Sequence, residues 1–169
     1  MDISKMAKIA SKTAFTVGLL ILLMAVPAFA SINKSVKIGA GEESDGASSV
    51  NGSITIGDDA VVTGSVETVN GSINVGDNAE IRSATTVNGK LRLGEGVSAG
   101  DLSTVNGAIK AGRGASIDGT IDAVNGSISI EEDSSVSGGV GNVNGDINVD
   151  GAEVGGDVST KTGDIEIMN

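Results

Sequence analysis

The residues best suited to chemistry in this sequence are acidic side chains that recur at equivalent positions of a repeat. One column of such equivalent positions contains Asp58, Asp77, Glu95 and Glu132, and in one further repeat Arg113 occupies the same position. Ca²⁺ prefers several oxygen ligands, as carboxylates supply. The Gly-Gly-x-Gly-x-Asp nonapeptide of calcium-binding β-rolls is absent from the sequence, however. We interpret the column as a solvated surface, with weak calcium binding as the alternative, and expect no cofactor.

Residue types that carry catalysis are scarce. The 169 residues include no His, Cys, Trp or Tyr, which removes most proton shuttles, nucleophiles and metal ligands. Neighbouring acids do occur, at Glu42 and Glu43 and at residues 131–133, but no basic residue accompanies them in a fixed column. A polysaccharide lyase or hydrolase would need such an acid-base constellation. We therefore expect that the chain is not an enzyme.

The first thirty residues resemble an export signal. Lys5, Lys8 and Lys12 precede an apolar run at 14–26, and Pro27-Ala-Phe-Ala30 supplies an A-x-A cleavage site. The apolar run is shorter than the ~20 residues that a membrane-spanning helix needs. We predict a cleaved signal peptide at 1–30, a mature domain at 31–169 without a transmembrane span, and a location in the periplasm or at the cell surface.

The predicted mature chain is strongly acidic. Removal of residues 1–30 takes away three Lys and one Asp, which leaves 8 basic and 21 acidic residues and a formal charge of −13. Proteins bind nucleic acid largely by neutralising its phosphates with Lys and Arg. Nucleic acid is therefore not an expected partner, and the charge is read as a source of solubility.

A Val-Asn-Gly motif divides the mature chain into repeats of 18 or 19 residues. Its Asn residues are Asn51, Asn70, Asn88, Asn106, Asn125 and Asn144. A degenerate copy precedes them at 32–39, and a partial copy follows at 161–167. Stacked Asn side chains can form a hydrogen-bonded ladder, which is the interpretation we favour. Asn-Gly is also the strongest signal for a type I′ hairpin, which would give an antiparallel array instead.

Aligned repeats share columns of aliphatic residues, as expected of positions that face one continuous core. The longest column is Val36, Ile54, Ile73, Leu91, Ile109, Ile128, Ile147 and Ile165. Within one repeat the apolar pairs are Ile54 with Ile56, Ala60 with Val62, and Val66 with Val69. This near period-2 spacing indicates three short strands per repeat, separated by Gly, Asn and Asp corners. The sequence therefore predicts an all-β, single-stranded β-helix of about seven rungs.

The repeated segments, such as 68–73, 104–109 and 123–128, resemble the bacterial polymer-forming (bactofilin-like) and adhesin repeat families. The resemblance covers almost the entire mature chain. It implies a right-handed β-helix, self-association and a role in the cell envelope. A left-handed hexapeptide helix would also suit the six-residue spacing of Ile54, Ala60 and Val66. Bactofilins proper are cytoplasmic scaffolds, whereas the export signal here favours the periplasm or the cell surface.

The two ends of the repeat array differ. The first copy is polar on its middle face, at 42–45, as a terminal cap should be. The last copy stops without such a cap at Ile165, Ile167 and Met168, which we predict to form a self-association surface. The first hypothesis is thus a structural, self-assembling envelope scaffold. The alternative is an adhesin-like module that binds a surface or glycan, without aromatic sugar platforms.

Overall fold

The structure, a computed structural model, describes residues 33–168. The predicted signal peptide at 1–30 lies outside the described residues. Within the described range the chain forms β-strands and no helix, so no helix there is long and apolar enough to cross a membrane. The strands stack in parallel as a β-solenoid of about 7 turns. Each turn is called a rung below, and the last strand, which begins a further turn, is counted as rung 8. The predicted fold class is confirmed.

One side of the solenoid is an eight-stranded parallel sheet with one strand from each rung. Its strands, in spatial order, are β1 (Val36–Ile38), β4 (Ile54–Ile56), β6 (Ile73–Val75), β8 (Leu91–Leu93), β10 (Ile109–Ala111), β13 (Ile128–Ile130), β16 (Ile147–Asp150) and β19 (Ile165–Met168). Equivalent residues of the repeats are direct neighbours, as in the pair Ile54 and Ile73. The aliphatic column read from the sequence is therefore a physical row along the solenoid.

The rest of each rung belongs to an eleven-stranded sheet that supplies the other two faces. Its strands are β2 (Glu43–Ser44), β3 (Ala47–Ser49), β5 (Val61–Asn70), β7 (Glu80–Asn88), β9 (Ser98–Asn106), β11 (Ser116–Ile117), β12 (Ile121–Asn125), β14 (Ser135–Val136), β15 (Val140–Asn144), β17 (Glu153–Val154) and β18 (Val158–Thr162). In rungs 1, 5, 6 and 7 the two faces have separate strands, as predicted. In rungs 2 to 4 they merge into the single strands β5, β7 and β9.

A β-bulge accommodates the difference between repeats of 19 and 18 residues. Val62 pairs with Ile81 and Ser65 pairs with Ser83, so two residues of β5 lie opposite one residue of β7. The additional residue is accommodated at Thr63 and Gly64. Because a bulge bends a strand without ending its pairing, β5 can turn the corner and continue as one strand.

The core consists of aliphatic side chains that point inward from both sheets. Ile54, Ile73, Leu91 and Ile128 are fully buried, and Ala and Val fill the remaining volume. One predicted inward pair was wrong. Val69 is only half-buried, whereas Thr68 is 1% exposed and takes the inward position beside Val66. Strict alternation from Val66 places Thr68 inside and Val69 outside, because β5 stays extended up to Asn70.

Every strand pair between residues 36 and 168 is parallel, which excludes the hairpin interpretation of Asn-Gly. A type I′ turn would also require a positive φ at the Asn. The six predicted ladder Asn residues have none. Positive φ values recur at the corner after the eight-stranded sheet, as at Asp59, Asn78 and Asp133, and at the Asn-Gly corner they occur at Asn33 and at motif Gly residues such as Gly126. Asn-Gly therefore forms a solenoid corner.

The first rung carries a polar cap where the sequence predicted one. The backbone N–H of Gly39 donates to Oε2 of Glu42 over 2.6 Å. In the next rungs the equivalent amides, such as that of Gly57, donate to the rung before them. The carboxylate of Glu42 thus accepts the hydrogen bond of this amide at the first corner, where a later rung would use a carbonyl of the rung before it.

Candidate functional site

The six Asn residues of the Val-Asn-Gly motifs form a continuous ladder along one exposed corner. The side-chain amide of Asn70 donates to Oδ1 of Asn51 over 2.8 Å, and the same bond recurs at every step up to Asn144, with lengths between 2.8 and 2.9 Å. The ladder begins one rung earlier, because Asn51 donates to Oδ1 of Asn33 over 2.6 Å. Each central Asn is both a donor and an acceptor, so the bonds all point the same way along the rod.

The Gly residues beside the ladder allow the rungs to approach closely at this corner. A Cβ built on Gly71, Gly89, Gly107 or Gly126 would clash with the carbonyl oxygen of the equivalent Gly one rung earlier. A larger residue would therefore push the rungs apart at the point where the Asn side chains must meet. The Asn and the Gly of the motif thus serve one purpose, which is close stacking at the corner.

A second column of polar side chains lies inside the solenoid and was missed from the sequence. The hydroxyls of Thr68 and Thr86 each donate over 2.9 Å to the carbonyl of the motif Gly one rung earlier. Both side chains are almost completely buried. The column comprises Ser49, Thr68, Thr86, Thr104, Asn142 and Thr160. The recurring Thr-Val-Asn-Gly of three repeats was the available signal.

Ala123 interrupts this internal column. It is 2% exposed and occupies the position that Thr104 and Asn142 hold in the adjoining rungs. An Ala side chain has no donor, so it cannot provide the hydrogen bond that Thr104 and Asn142 each donate to the motif Gly one rung earlier. The equivalent carbonyl here is that of Gly107. This is the one rung between 49 and 160 in which the column lacks a polar side chain.

Two members of the acidic column that suggested calcium, Asp58 and Asp77, accept hydrogen bonds from backbone amides. Oδ1 of Asp58 accepts from the N–H of Asp77 over 3.0 Å, and Oδ1 of Asp77 accepts from the N–H of Glu95 over 2.8 Å. At the interruption, Arg113 donates from Nε and Nη2 to Oδ2 of Asp133 over 2.9 and 2.7 Å. This hydrogen bond and the charge of Asp133 raise the pKa of Arg113 above its ordinary value.

No group of three or more His, Cys, Asp or Glu within residues 33–168 is arranged to hold a metal ion. The carboxylates of the corner column lie one per rung, and a rung advances by about 4.8 Å. Two of them, on Asp58 and Asp77, already accept an N–H. The corner is therefore organised to join one rung to the next.

The final rung ends the solenoid with apolar side chains in contact with solvent. Ile165 and Ile167 pair with Ile147 and Val149 of the rung before. Ile147 and Val149 are 0% and 1% exposed, but Ile165 and Ile167 are 42% and 56% exposed. Met168 beside them is 40% exposed. The columns are the same, and the difference arises because no further rung within residues 33–168 packs against Ile165 and Ile167.

A shallow cleft of about 370 Å³ lies at the corner after the eight-stranded sheet. Charged side chains of both signs line it, together with Leu93 and two Gly residues: Asp77, Arg92, Glu95, Lys110 and Glu131. Nζ of Lys110 lies 2.6 Å from Oε1 of Glu131. The cleft is thus lined by charged groups, two of which, Lys110 and Glu131, pair with each other.

The polar side chains described above join neighbouring rungs, and the exposed apolar side chains are available for contact with another molecule. Along residues 33–168 the repeated polar groups are used in bonds between rungs, at the Asn corner, in the internal Thr column and at the acidic corner. What the described chain leaves uncovered is its last rung and the outer surface of its sheets. Comparison with protein-family models, with curated proteins and with solved structures finds no match to this chain.

Proposed function

We propose that this chain is a non-enzymatic structural protein of the bacterial envelope that assembles through its C-terminal rung. The observation that carries the proposal is the exposure of Ile165, Ile167 and Met168, which are the large exposed hydrophobic residues of the described range. The resemblance of the repeats to polymer-forming, bactofilin-like families supports self-assembly. The predicted export signal supports a place in the periplasm or on the cell surface.

The energetics favour covering the last rung. Burial of an Ile side chain contributes about 1.5–3 kcal/mol, so covering the exposed halves of Ile165 and Ile167 is worth about 1 kcal/mol each. The outer edge of β19 also presents backbone groups that another strand can pair with. Both gains require a partner, and the last rung of a second copy presents an apolar surface and a strand edge of the same kind.

The first experiment measures assembly of the chain as it is exported. The protein is produced with its own N-terminal segment in a bacterial host, purified, and examined by sedimentation velocity and negative-stain microscopy over a wide concentration range. Interference detection is required because the sequence has no Trp or Tyr. We expect end-to-end dimers or longer rods, in an amount that grows with concentration. A compact monomer at every concentration would contradict the proposal.

A pair of variants localises the contact. Ile167→Lys places a charge in the proposed interface and should reduce assembly sharply. Ser116→Lys, at an exposed position of β11 far from the last rung, is the matched control and should assemble like the unaltered chain. Equal assembly of the two variants would place the contact elsewhere.

A second candidate function is adhesin-like binding of a polar glycan. The cleft beside Arg92, Lys110 and Glu131 favours it, because donors and acceptors of both charges line one depression. Aromatic side chains, which usually stack against sugars, are absent after Phe29. Binding in a glycan screen that Arg92→Ala abolishes would support this function.

A further inference from the structure

The outer surface of the eight-stranded sheet separates its charges along the rod. Two columns face outward there. One is the central residue of each strand, and the other lies two residues earlier. Their basic residues all lie in rungs 1 to 5, and their acidic residues all lie in rungs 7 and 8. The basic residues are Lys37, Lys90, Arg92 and Lys110, and the acidic residues are Asp146, Asp164 and Glu166.

The rung between the two charged segments carries one charge near this surface, Glu131, which is paired with Lys110 of the rung before it. In rung 6 the residues of the two columns are Ser127 and Ser129, and Ser129 pairs with Lys110 on one side and with Asn148 on the other. Arg92 therefore lies two rungs before Ser129, and Glu166 lies two rungs after it. Lys90 and Arg92 thus lie as many rungs before Ser129 as Asp164 and Glu166 lie after it.

The charged groups at the two ends of this pattern have no ion-pair partner among residues 33–168. The ion pairs of the described chain join Lys110 to Glu131 and Arg113 to Glu132 and Asp133. Lys90, Arg92, Asp164 and Glu166 are all exposed. They are therefore available to charges on another molecule.

We propose that the eight-stranded sheets of two copies pair face to face in antiparallel orientation, about a two-fold axis that runs along the strand of Ser129. This operation places Arg92 of each copy opposite Glu166 of the other, and Lys90 opposite Asp164. The two columns stay in register, because a two-fold axis along the strand direction leaves position along the strand unchanged. Face-to-face sheets lie about 10 Å apart, a distance that Arg and Glu side chains can span together.

The contact is isologous, as in most symmetric dimers, because the same patch of both copies takes part. It involves rungs 4 to 8 of a sheet whose strands have three or four residues. This area is below the ~800 Å² per partner of a standard interface, so the association should be weak, concentration-dependent and sensitive to salt. The inference goes beyond end-to-end assembly, since it joins rods side by side and does not need the C-terminal contact.

Cross-linking tests the two-fold axis directly, because the full chain has no Cys of its own. In Ser129→Cys the new thiols of the two copies lie beside the axis, so a short bifunctional thiol reagent should give covalent dimers. The control is Thr55→Cys, at the equivalent outward position of rung 2. Its symmetry mate would lie beyond the last rung, so dimers should be at least several-fold fewer. Equal yields from the two variants would overturn the proposal.

Charge exchange tests the pairing. In the Ser129→Cys background, Arg92→Glu and Glu166→Arg should each lower the dimer yield several-fold, and the two together should restore it. About 1 M salt, which shortens the Debye length to about 3 Å, should abolish the difference between the variants. Far-UV circular dichroism checks that each variant keeps its β-structure. A double variant as deficient as the single ones would overturn the proposal.

The same variants test whether the face near Lys90 and Arg92 binds an anionic polymer and not a second copy of the chain. Heparin serves as a probe for an anionic polysaccharide. If an anionic polymer binds this face, heparin should bind the unaltered chain and the Glu166→Arg variant but not the Arg92→Glu variant. Such a result, together with no dimers from Ser129→Cys, would overturn the antiparallel pair. Failure of end-to-end assembly with preserved cross-linking would contradict only the proposed function above.

Discussion

Asn106 donates its side-chain amide to Oδ1 of Asn88 across 2.9 Å, on a corner where both side chains are exposed to solvent. Water could satisfy either group, so the bond has only a modest net worth of about 0.5–1.5 kcal/mol. Its importance comes from repetition, because each central Asn makes one bond to the rung before and one to the rung after. The ladder thereby couples every rung to both of its neighbours.

The first prediction concerns this coupling. Asn106→Ala removes two ladder bonds and should lower the free energy of unfolding by about 1–3 kcal/mol. Asn144 makes a ladder bond on one side only, to Asn125, so Asn144→Ala should cost about half as much. Urea unfolding followed by far-UV circular dichroism measures both. If the loss at Asn106 is no larger than for the exposed control Thr55→Ala, the ladder does not stabilise the fold.

The internal hydroxyl column gives a second prediction. Thr86 is fully buried, and its hydroxyl donates to the carbonyl of Gly71. Thr86→Val keeps the shape of the side chain but removes the donor, and a buried group left without its partner costs about 1–3 kcal/mol. Urea unfolding should show a loss of that size. An unchanged midpoint would mean that the carbonyl of Gly71 does not need the hydroxyl.

Ala123 allows the reverse experiment. Ala123→Thr should supply the donor that this rung lacks, toward the carbonyl of Gly107, and raise the free energy of unfolding by about 1 kcal/mol. Ala123→Val adds similar volume without a donor and serves as the control. The thermal midpoint of the Thr variant should exceed that of the Val variant. Identical midpoints would count against a role for the hydroxyl.

Close stacking at the Asn-Gly corner predicts that the Gly residues there tolerate no side chain. A Cβ on Gly107 would clash with the carbonyl of Gly89, so Gly107→Ala should destabilise by about 3 kcal/mol or more. Gly114 is the matched control, because its nearest neighbour is the nitrogen of Gly96 at 4.0 Å. Its φ of +67° makes Ala unfavourable there by about 1–2 kcal/mol. A Gly107 variant as stable as the Gly114 variant would refute the crowding.

The environment of Glu67 predicts that the free energy of unfolding depends on pH. It is half-buried on the outer surface of the eleven-stranded sheet, between Ser48 and Thr85, and burial raises its pKa above the ordinary value. The folded state then holds a proton that the unfolded state has lost, so stability falls as the pH rises from about 4.5 through the raised pKa. Glu67→Gln should therefore stabilise the protein at pH 7.

The same comparison at low pH is the control for Glu67. Below the ordinary pKa both states are protonated, and the Gln variant and the unaltered chain should unfold at nearly the same urea concentration. A stabilisation that is equal at pH 3.5 and pH 7 would show that the effect arises from packing and not from ionisation. Unfolding curves at several pH values, analysed for the midpoint, decide between the two.

Much of the fold could be predicted because every repeat meets the same surroundings. Ile54 and Ile73 are neighbours in space for the reason that they are equivalent in sequence. The inward columns, the corners and the uncovered last rung therefore follow from aligning the copies. The candidate surface at Ile165 and Ile167 could be named in the same way, since these residues are the last members of two inward columns within residues 33–168.

The sequence by itself determined the period and the main aliphatic columns, because these depend only on one repeat resembling the next. The structure decided that the repeats stack in parallel and not as antiparallel hairpins. Only the tertiary structure decided that Thr68 points inward and Val69 outward. That choice depends on where the backbone bends, and the neighbouring rungs control the bend through their carbonyls and Gly residues. The charge pattern about Ser129 is also a property of the assembled sheet. Arg92 and Glu166 are 74 positions apart in the chain, and only stacking places them in one column.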